Sequence, residues 1–330
     1  VDRLVTSSPL NPAPLVRDVR NIRLGIAGKV DENDHPYSWS AILNGYDPTA
    51  MREHAHPVIS DYLAARTSRE FGIQGVRVTH IWCDDPADAA KIAAAAQIGK
   101  VLRNPAELIG QVDAVLIPTD RGDEHVARAL PFVEADIPVF IDKPLCVNLA
   151  DLATFQEWVR CGKSIMSCSA MRYATEFISA RQRMGEVGDL RFISITMAKS
   201  WHRYGIHALE AVYPFLSPGG WISARNVGAA GADVVLYKHQ SGVVVLVCMG
   251  EDWLGGFGSM HIVGRKSELH ARFRDSFSAF KAQLQQFVAY LQTGSPTIDF
   301  SETAELMHRL IAGEKSRKGG GEEVALPLTD

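Results

Sequence analysis

Between residues 23 and 169 the chain alternates short apolar runs with amphipathic stretches of helical length, and this alternation limits the fold more than any other feature. Apolar segments at 23–27, 76–82, 113–117, 139–141 and 164–169 each stop at charged or turn-forming residues, with helix-like segments between them. Strands separated by helices at this spacing specify a parallel, doubly wound sheet with right-handed crossovers. In such a sheet ligands bind outside the carboxyl ends of the strands. The stretch 139–146, V-F-I-D-K-P-L-C, therefore matters most, because a buried-strand run delivers Asp142, Lys143 and Pro144 to that edge. By itself it fits a placed amine and a plain surface lysine equally well.

After residue 169 the pattern changes. An amphipathic helix is expected over 171–184, followed by strand-like runs at 190–198, 232–239, 242–248, 258–263 and 268–272. His239, Gln240, Ser241 and Gly242 form a hairpin signal between two alternating strands. Successive strands with turns predict a mostly antiparallel sheet in an α+β second domain. One face of such a sheet takes helices and the other suits a second subunit, so a homodimer or homotetramer through this sheet is expected. Two helices close the chain, one over 277–291 ended by Gly294 and one capped by Ser301 with a basic end. The division is an extended arm at 1–20, an α/β domain at 21–169 and an α+β domain at 170–330, whose last segment has the length to pack back on the first.

With 330 residues, 46% of them hydrophobic, the chain has room for two cores. The formal charge of −4 and the lack of a basic cluster interleaved with aromatics argue against nucleic acid. Apolar stretches such as 243–249 are too short to span a bilayer, and the first residues lack the apolar core of a signal peptide, so a cytoplasmic enzyme is expected. Cys83, Cys146, Cys161, Cys168 and Cys248 are odd in number and widely spaced, which suits reduced thiols. His54 and His56 stand two apart with no third ligand near, and no metal site is expected.

Along the ligand edge, the first strand ends at Gly28, as the first turn of a dinucleotide fold requires. The G-x-G-x-x-G pattern then fails, because Val30, Asp31, Glu32, Asn33 and Asp34 follow. Lys29 offers charge where glycine amides are missing. The next helix is expected near Tyr37 with Pro36 in its first turn, and 45–56 is read as an insertion over the cofactor or substrate. Residues 58–71 read as a helix with Val58, Tyr62, Ala65 and Phe71 on its apolar side. Asp84, at the tip of the second strand, is placed to accept hydrogen bonds from a ribose and to repel a 2′-phosphate, which favours NAD over NADP. Capping the helix that begins at Ala87 is the competing role for Asp84 or Asp85.

The segment D-A-V-L-I-P-T-D-R-G-D-E-H, followed by V-F-I-D-K-P-L, resembles the Gfo/Idh/MocA family of glucose-fructose oxidoreductase and inositol dehydrogenase relatives. The likeness continues through Met171-Arg172-Tyr173, through 205–210 and to the closing F-S-E-T-A-E-L-M-H-R-L-I-A-G-E-K-S. The resemblance implies a Rossmann domain holding a nicotinamide dinucleotide and an open-faced sheet domain completing a sugar or polyol site. It makes Lys143 the catalytic lysine and His207 the acid/base histidine. Pro118, Thr119, Asp120, His125, Asp142 and Lys143 fall with Gly28, Lys29 and Asp84 on the cofactor side, and Arg172 and Tyr173 line the site at the domain junction. The chain departs from the family where Asp142 replaces glutamate, where Pro118-Thr119 inverts the usual pair, where Arg203 stands for aspartate and where Glu210 replaces aspartate.

Oxidising a secondary alcohol needs a base for the hydroxyl proton and a group to stabilise the developing alkoxide, held in line with a hydride acceptor. His207 has the ordinary pKa for the first task and Lys143 the charge for the second. Trp201, His202, Arg203 and Tyr204 read as one loop before His207, suited to stacking on a sugar and binding a carboxylate. Arg203 pairing with Glu210 is the structural alternative. A non-catalytic sugar or nucleotide sensor, or an NAD-assisted lyase-type enzyme using transient oxidation, is the alternative to a dehydrogenase.

Overall fold

The structure, a computed structural model, describes residues 12–329; residues 1–11 of the expected arm lie outside them. Residues 12–20 run along helix Ser276–Thr293, held by the Leu15 amide on the Leu291 carbonyl at 2.9 Å and by Gln292 on the Val19 carbonyl at 3.0 Å.

The first sheet contains β1 (Ile22–Ala27), β2 (Val76–Trp82), β3 (Lys100–Val101), β4 (Ala114–Ile117), β5 (Val139–Ile141) and β6 (Ile165–Met166), all parallel in the order β3-β2-β1-β4-β5-β6. Successive side chains enter opposite cores, Leu24, Ile26, Leu116 and Phe140 on one face and Val115, Ile117, Val139 and Ile141 on the other. Both faces are covered, which is why these strands read as unbroken apolar runs. Phe140 packs at 5.2 Å from Trp39 and 5.4 Å from Phe287, so helices His35–Asn44 and Ser276–Thr293 cover one face together. Each such fully buried side chain contributes about 1.5–3 kcal/mol. The strand order reverses between β1 and β4, and the loops leaving Gly28 and Ile117 part there to open a crevice at the carboxyl edge.

The second sheet contains β7 (Leu190–Ala198), β8 (Trp221–Asn226), β9 (Ala232–His239), β10 (Val244–Gly250), β11 (Ser259–Gly264), β12 (Glu268–Arg272) and β13 (Val324–Ala325), ordered β12-β11-β7-β10-β9-β8-β13. Only the β7–β10 pair is parallel, so the sheet is mostly antiparallel. Val245, Val247 and Met249 are buried under helix Trp201–Val212, and helix Phe300–Lys318 continues the layer over β8, whereas Val244, Leu246 and Cys248 stand half-buried on the other face. Among the described residues, no helix is long and apolar enough to cross a membrane.

Several local expectations are corrected. The insertion at 45–56 does not lie over the carboxyl edge: its helix Pro48–His54 packs on helix Pro86–Ala95, with the Asp47 amide on the Ala95 carbonyl at 2.8 Å and Met51 buried. His56 caps helix Pro57–Ala64 by accepting the Val58 amide, and that helix buries Ile59 and Leu63 while Val58 is exposed. The expected helix at 171–184 is broken into a 3-10 turn, helix Thr175–Gln182 and helix Met184–Val187. Asp299, rather than Ser301, caps the last long helix. The short β3 and β13 and the irregular β8 carried too little alternation to be read in advance.

Candidate active site

β5 ends at the expected charged pair. Asp142 and Lys143 are both buried, at 1% and 2% exposure, so neither is a surface group. The Lys143 ammonium lies 3.8 Å from the Asp120 carboxylate and 4.8 Å from the centroid of the Tyr204 ring. Asp142 accepts the Lys143 amide at 2.8 Å, the Asn33 side-chain amide at 3.3 Å and the His35 ring at 2.5 Å. Burial pushes the Asp142 carboxyl up, but His35, Lys143 and these hydrogen bonds outweigh it and hold the group at about 2. Asp142 is thus a fixed anion that ties the loop after β1 to the end of β5.

His207 comes from the second domain. Residues 201–204 are not a loop, since helix Trp201–Val212 begins at Trp201, and the 3.6-residue repeat puts Arg203, Tyr204, His207 and Glu210 on one stripe. The His207 ring centroid is 5.2 Å from that of Tyr204, on which Lys143 also rests, and Nδ1 is 2.6 Å from Ser169 Oγ. Burial, reinforced by the charge of Lys143, holds the imidazole well below its ordinary pKa. The ring is therefore neutral in the folded protein at neutral pH. An unfolded chain takes up a proton at this position as pH falls through about 6.5 and the folded chain does not, so stability should fall with pH below that point. His207→Gln should flatten the fall between pH 7 and pH 5 in urea denaturation; an unchanged slope would show that His207 does not contribute to it.

The mouth of the crevice is crossed by two arginines. Arg203 grips Asp120 through both carboxylate oxygens, at 2.9–3.1 Å, and reaches Glu32 in the loop after β1 at 3.1 Å. It does not pair with Glu210, which binds Arg172 instead. Arg128, from helix His125–Glu134, meets Asp84 at 3.1 Å and Glu124 at 2.7 Å. It also lies over Gly28, where a side chain is doubly disfavoured: φ is +105° and a Cβ would stand 2.8 Å from the Arg128 guanidinium. Asp84 accepts the Lys29 amide at 3.3 Å, while the cap of the following helix falls to Asp85.

Other expected site residues are occupied elsewhere. His125 is fully buried and joins loops, with its ring at 2.8 Å from the Thr119 carbonyl and 3.0 Å from that of Leu145. Lys29 pairs with Asp34 and Asp88 at 3.8 and 3.3 Å. Arg172 is held by Glu210 and by Glu302, at 2.5 Å from the latter, and stacks on Tyr213, which makes it an internal bridge rather than a group facing a ligand. Trp201 is buried at 1% exposure with its indole N–H on the Leu310 carbonyl at 3.0 Å, so it cannot stack on a sugar. His202 is exposed, and Tyr173 packs beside Cys168 with its hydroxyl 3.9 Å from the thiol. Pro118, Thr119 and Asp120 are buried along the β4 edge of the crevice. Sequence reasoning missed His35, Arg128 and Ser169 as parts of this neighbourhood; His35-Pro36 at the start of the first helix was the available signal.

A parallel sheet with Gly28 at its switch point and Lys143 just past the end of β5, completed by a mixed sheet whose helix brings His207 near the same edge, defines a Rossmann domain joined to an α+β domain. Residues 55–167 match the Gfo/Idh/MocA model, described as an oxidoreductase family with an NAD-binding Rossmann fold. Over 107 residues it is 26% identical to a protein described as a UDP-kanosamine synthase oxidoreductase subunit of Amycolatopsis mediterranei; the match covers 32% of this chain and 23% of that protein. The fold is similar to that of myo-inositol 2-dehydrogenase from Lactobacillus plantarum (TM-score 0.73, 13% identity, 92% of this chain and 99% of that one). It is also similar to that of myo-inositol dehydrogenase from Lactobacillus casei in complex with NAD(H) and myo-inositol (TM-score 0.71, 14% identity, 94% and 98%).

Proposed function

We propose that this protein is an NAD-dependent dehydrogenase that acts on a secondary hydroxyl of a sugar, polyol or sugar acid. The observation that carries the reading is that Lys143 and His207, from different domains, flank one ring, Tyr204, at the carboxyl edge of a dinucleotide-type sheet. The inositol and aminosugar chemistry named for the similar proteins agrees with this substrate class.

The residues present fit a dinucleotide. Gly28 provides the side-chain-free approach at the end of β1, and Asp84 stands at the tip of β2 for a ribose. The loop that follows has no further glycine and carries Asp31, Glu32 and Asp34, so Arg128 over Gly28 supplies the positive charge that a run of glycine amides supplies elsewhere. NAD, when bound, provides the hydride acceptor. With Nδ1 engaged by Ser169 Oγ at 2.6 Å, Nε2 is the ring nitrogen left to take the hydroxyl proton, in the tautomer that donates Nδ1–H to Ser169, and burial favours the neutral ring. The Lys143 ammonium stabilises negative charge on the same oxygen, and Asp120 keeps it in place.

Sugars, inositols and aldonic acids offered with NAD should include at least one that yields NADH absorbance. Equal NADH formation by wild type and Lys143→Ala would contradict the assignment. Asp84→Ala should narrow the ratio of NADP to NAD dissociation constants measured by calorimetry. An unchanged ratio would reduce Asp84 to a partner of Arg128. The non-catalytic reading draws on the acidic loop and on the Arg203 clasp across the crevice, and NAD affinity separates it from a dehydrogenase.

A further inference from the structure

On the second sheet, β11 and β12 pair antiparallel with His261 directly opposite His270. The two imidazole rings stack with centroids 4.2 Å apart and 5° between planes. Glu268 stands two residues before His270, hence on the same face. Its carboxylate meets His261 Nε2 at 2.7 Å and His270 Nε2 at 3.7 Å. One ligand atom from each of the three lies within 4.8 Å of the other two. None of these residues takes part in the site around Lys143.

We propose that His261, Glu268 and His270 form a binding site for a divalent transition-metal ion, with Zn²⁺ as its natural class. Two imidazoles and a carboxylate, without a thiolate, make a nitrogen and oxygen donor set that suits Zn²⁺, Co²⁺ or Ni²⁺; Mg²⁺ and Ca²⁺ call for oxygen alone. Ligands around a tetrahedral zinc stand about 3.3 Å apart, from bond lengths near 2.0–2.1 Å. Small rotations of three partly exposed side chains close the present spacing to that value. The strand pairing fixes the three Cβ positions before the ion arrives, so little ordering cost falls on binding. Glu268, which now joins the two rings by hydrogen bonding, exchanges those contacts for a bond to the metal.

Three protein ligands leave at least one coordination position open. His261 and His270 line a groove of about 720 Å³ whose wall also carries Ser194, Thr196, Arg272 and Arg274. Water fills the open position, or an anionic group entering the groove does so beside the two arginines.

The test is calorimetric titration of the full chain with ZnCl₂ after removal of adventitious metal, with Co²⁺ absorption as a second readout. The wild type should bind one equivalent. His261→Ala/His270→Ala should lose at least 100-fold in affinity together with the Co²⁺ ligand-field band, and Glu268→Gln about 10-fold. Circular dichroism should show the variants folded, and Lys143→Ala should bind zinc as the wild type does. Absence of a single tight equivalent in the wild type, or the same equivalent retained by the folded double variant, would overturn the proposal.

Discussion

Lys143→Ala is expected to lower kcat by about 10²- to 10³-fold while leaving the NAD dissociation constant within a few-fold of wild type. The size follows from what is removed: a buried ammonium that the proposed function sets against the developing alkoxide, in surroundings that weaken screening. The variant should fold, because Asp120 keeps its bidentate partner Arg203 and is not left as a lone buried charge. Initial rates on the best substrate of the panel, with NAD titration alongside, check both halves. Undiminished turnover would remove Lys143 from the chemistry, and an equal loss of NAD affinity would make it a cofactor ligand instead.

Asp120→Ala should have the largest effect on stability, roughly 3–5 kcal/mol, because it leaves two cations without their shared anion. Asp120 is buried, takes both arms of Arg203 and faces the Lys143 ammonium, which is itself almost fully enclosed. Removing one partner of such a group strands the others, a penalty far above that of an exposed ion pair. Urea denaturation at neutral pH measures it, and Asp120→Asn should fall between wild type and Asp120→Ala because the amide oxygen still accepts a hydrogen bond. A loss below about 1 kcal/mol for the alanine variant would mean that water or a moved side chain replaces the carboxylate.

The parts of this fold that could be read in the sequence are those that repeat. β2 and β7 appear where period-2 or continuous apolar runs place them, and Asp142-Lys143 follows from the end of such a run. The first turn of helix Trp201–Val212 was hidden because Trp201, His202, Arg203 and Tyr204 read as a loop. In the structure Gly205 lets the Trp201 indole lie against the helix: a Cβ there would stand 2.9 Å from the ring, and one at Gly313 2.5 Å from its other side. Burying Trp201 in this way removed a presumed sugar platform and turned Arg203 and Tyr204 toward the first domain.

The partners in the candidate site were illegible for a different reason. Arg203 meets Asp120 across 83 residues and Glu32 across 171, and His35 meets Asp142 across 107. Periodicity tells which face a side chain takes, but gives no distance between elements so far apart along the chain. The same holds for Arg128 over Gly28, which is visible only once β1 and β4 stand side by side. The missing glycines after Gly28 were plain in the sequence; the arginine that takes up their charge was not.

Isothermal titration of the wild-type chain with NAD and with NADP tests the central claim most directly. One equivalent of NAD should bind, more tightly than NADP, with Arg128→Ala weakening both. Absence of affinity for either dinucleotide would mean that the acidic loop and the two arginine clasps have closed the crevice, and would contradict the dehydrogenase reading.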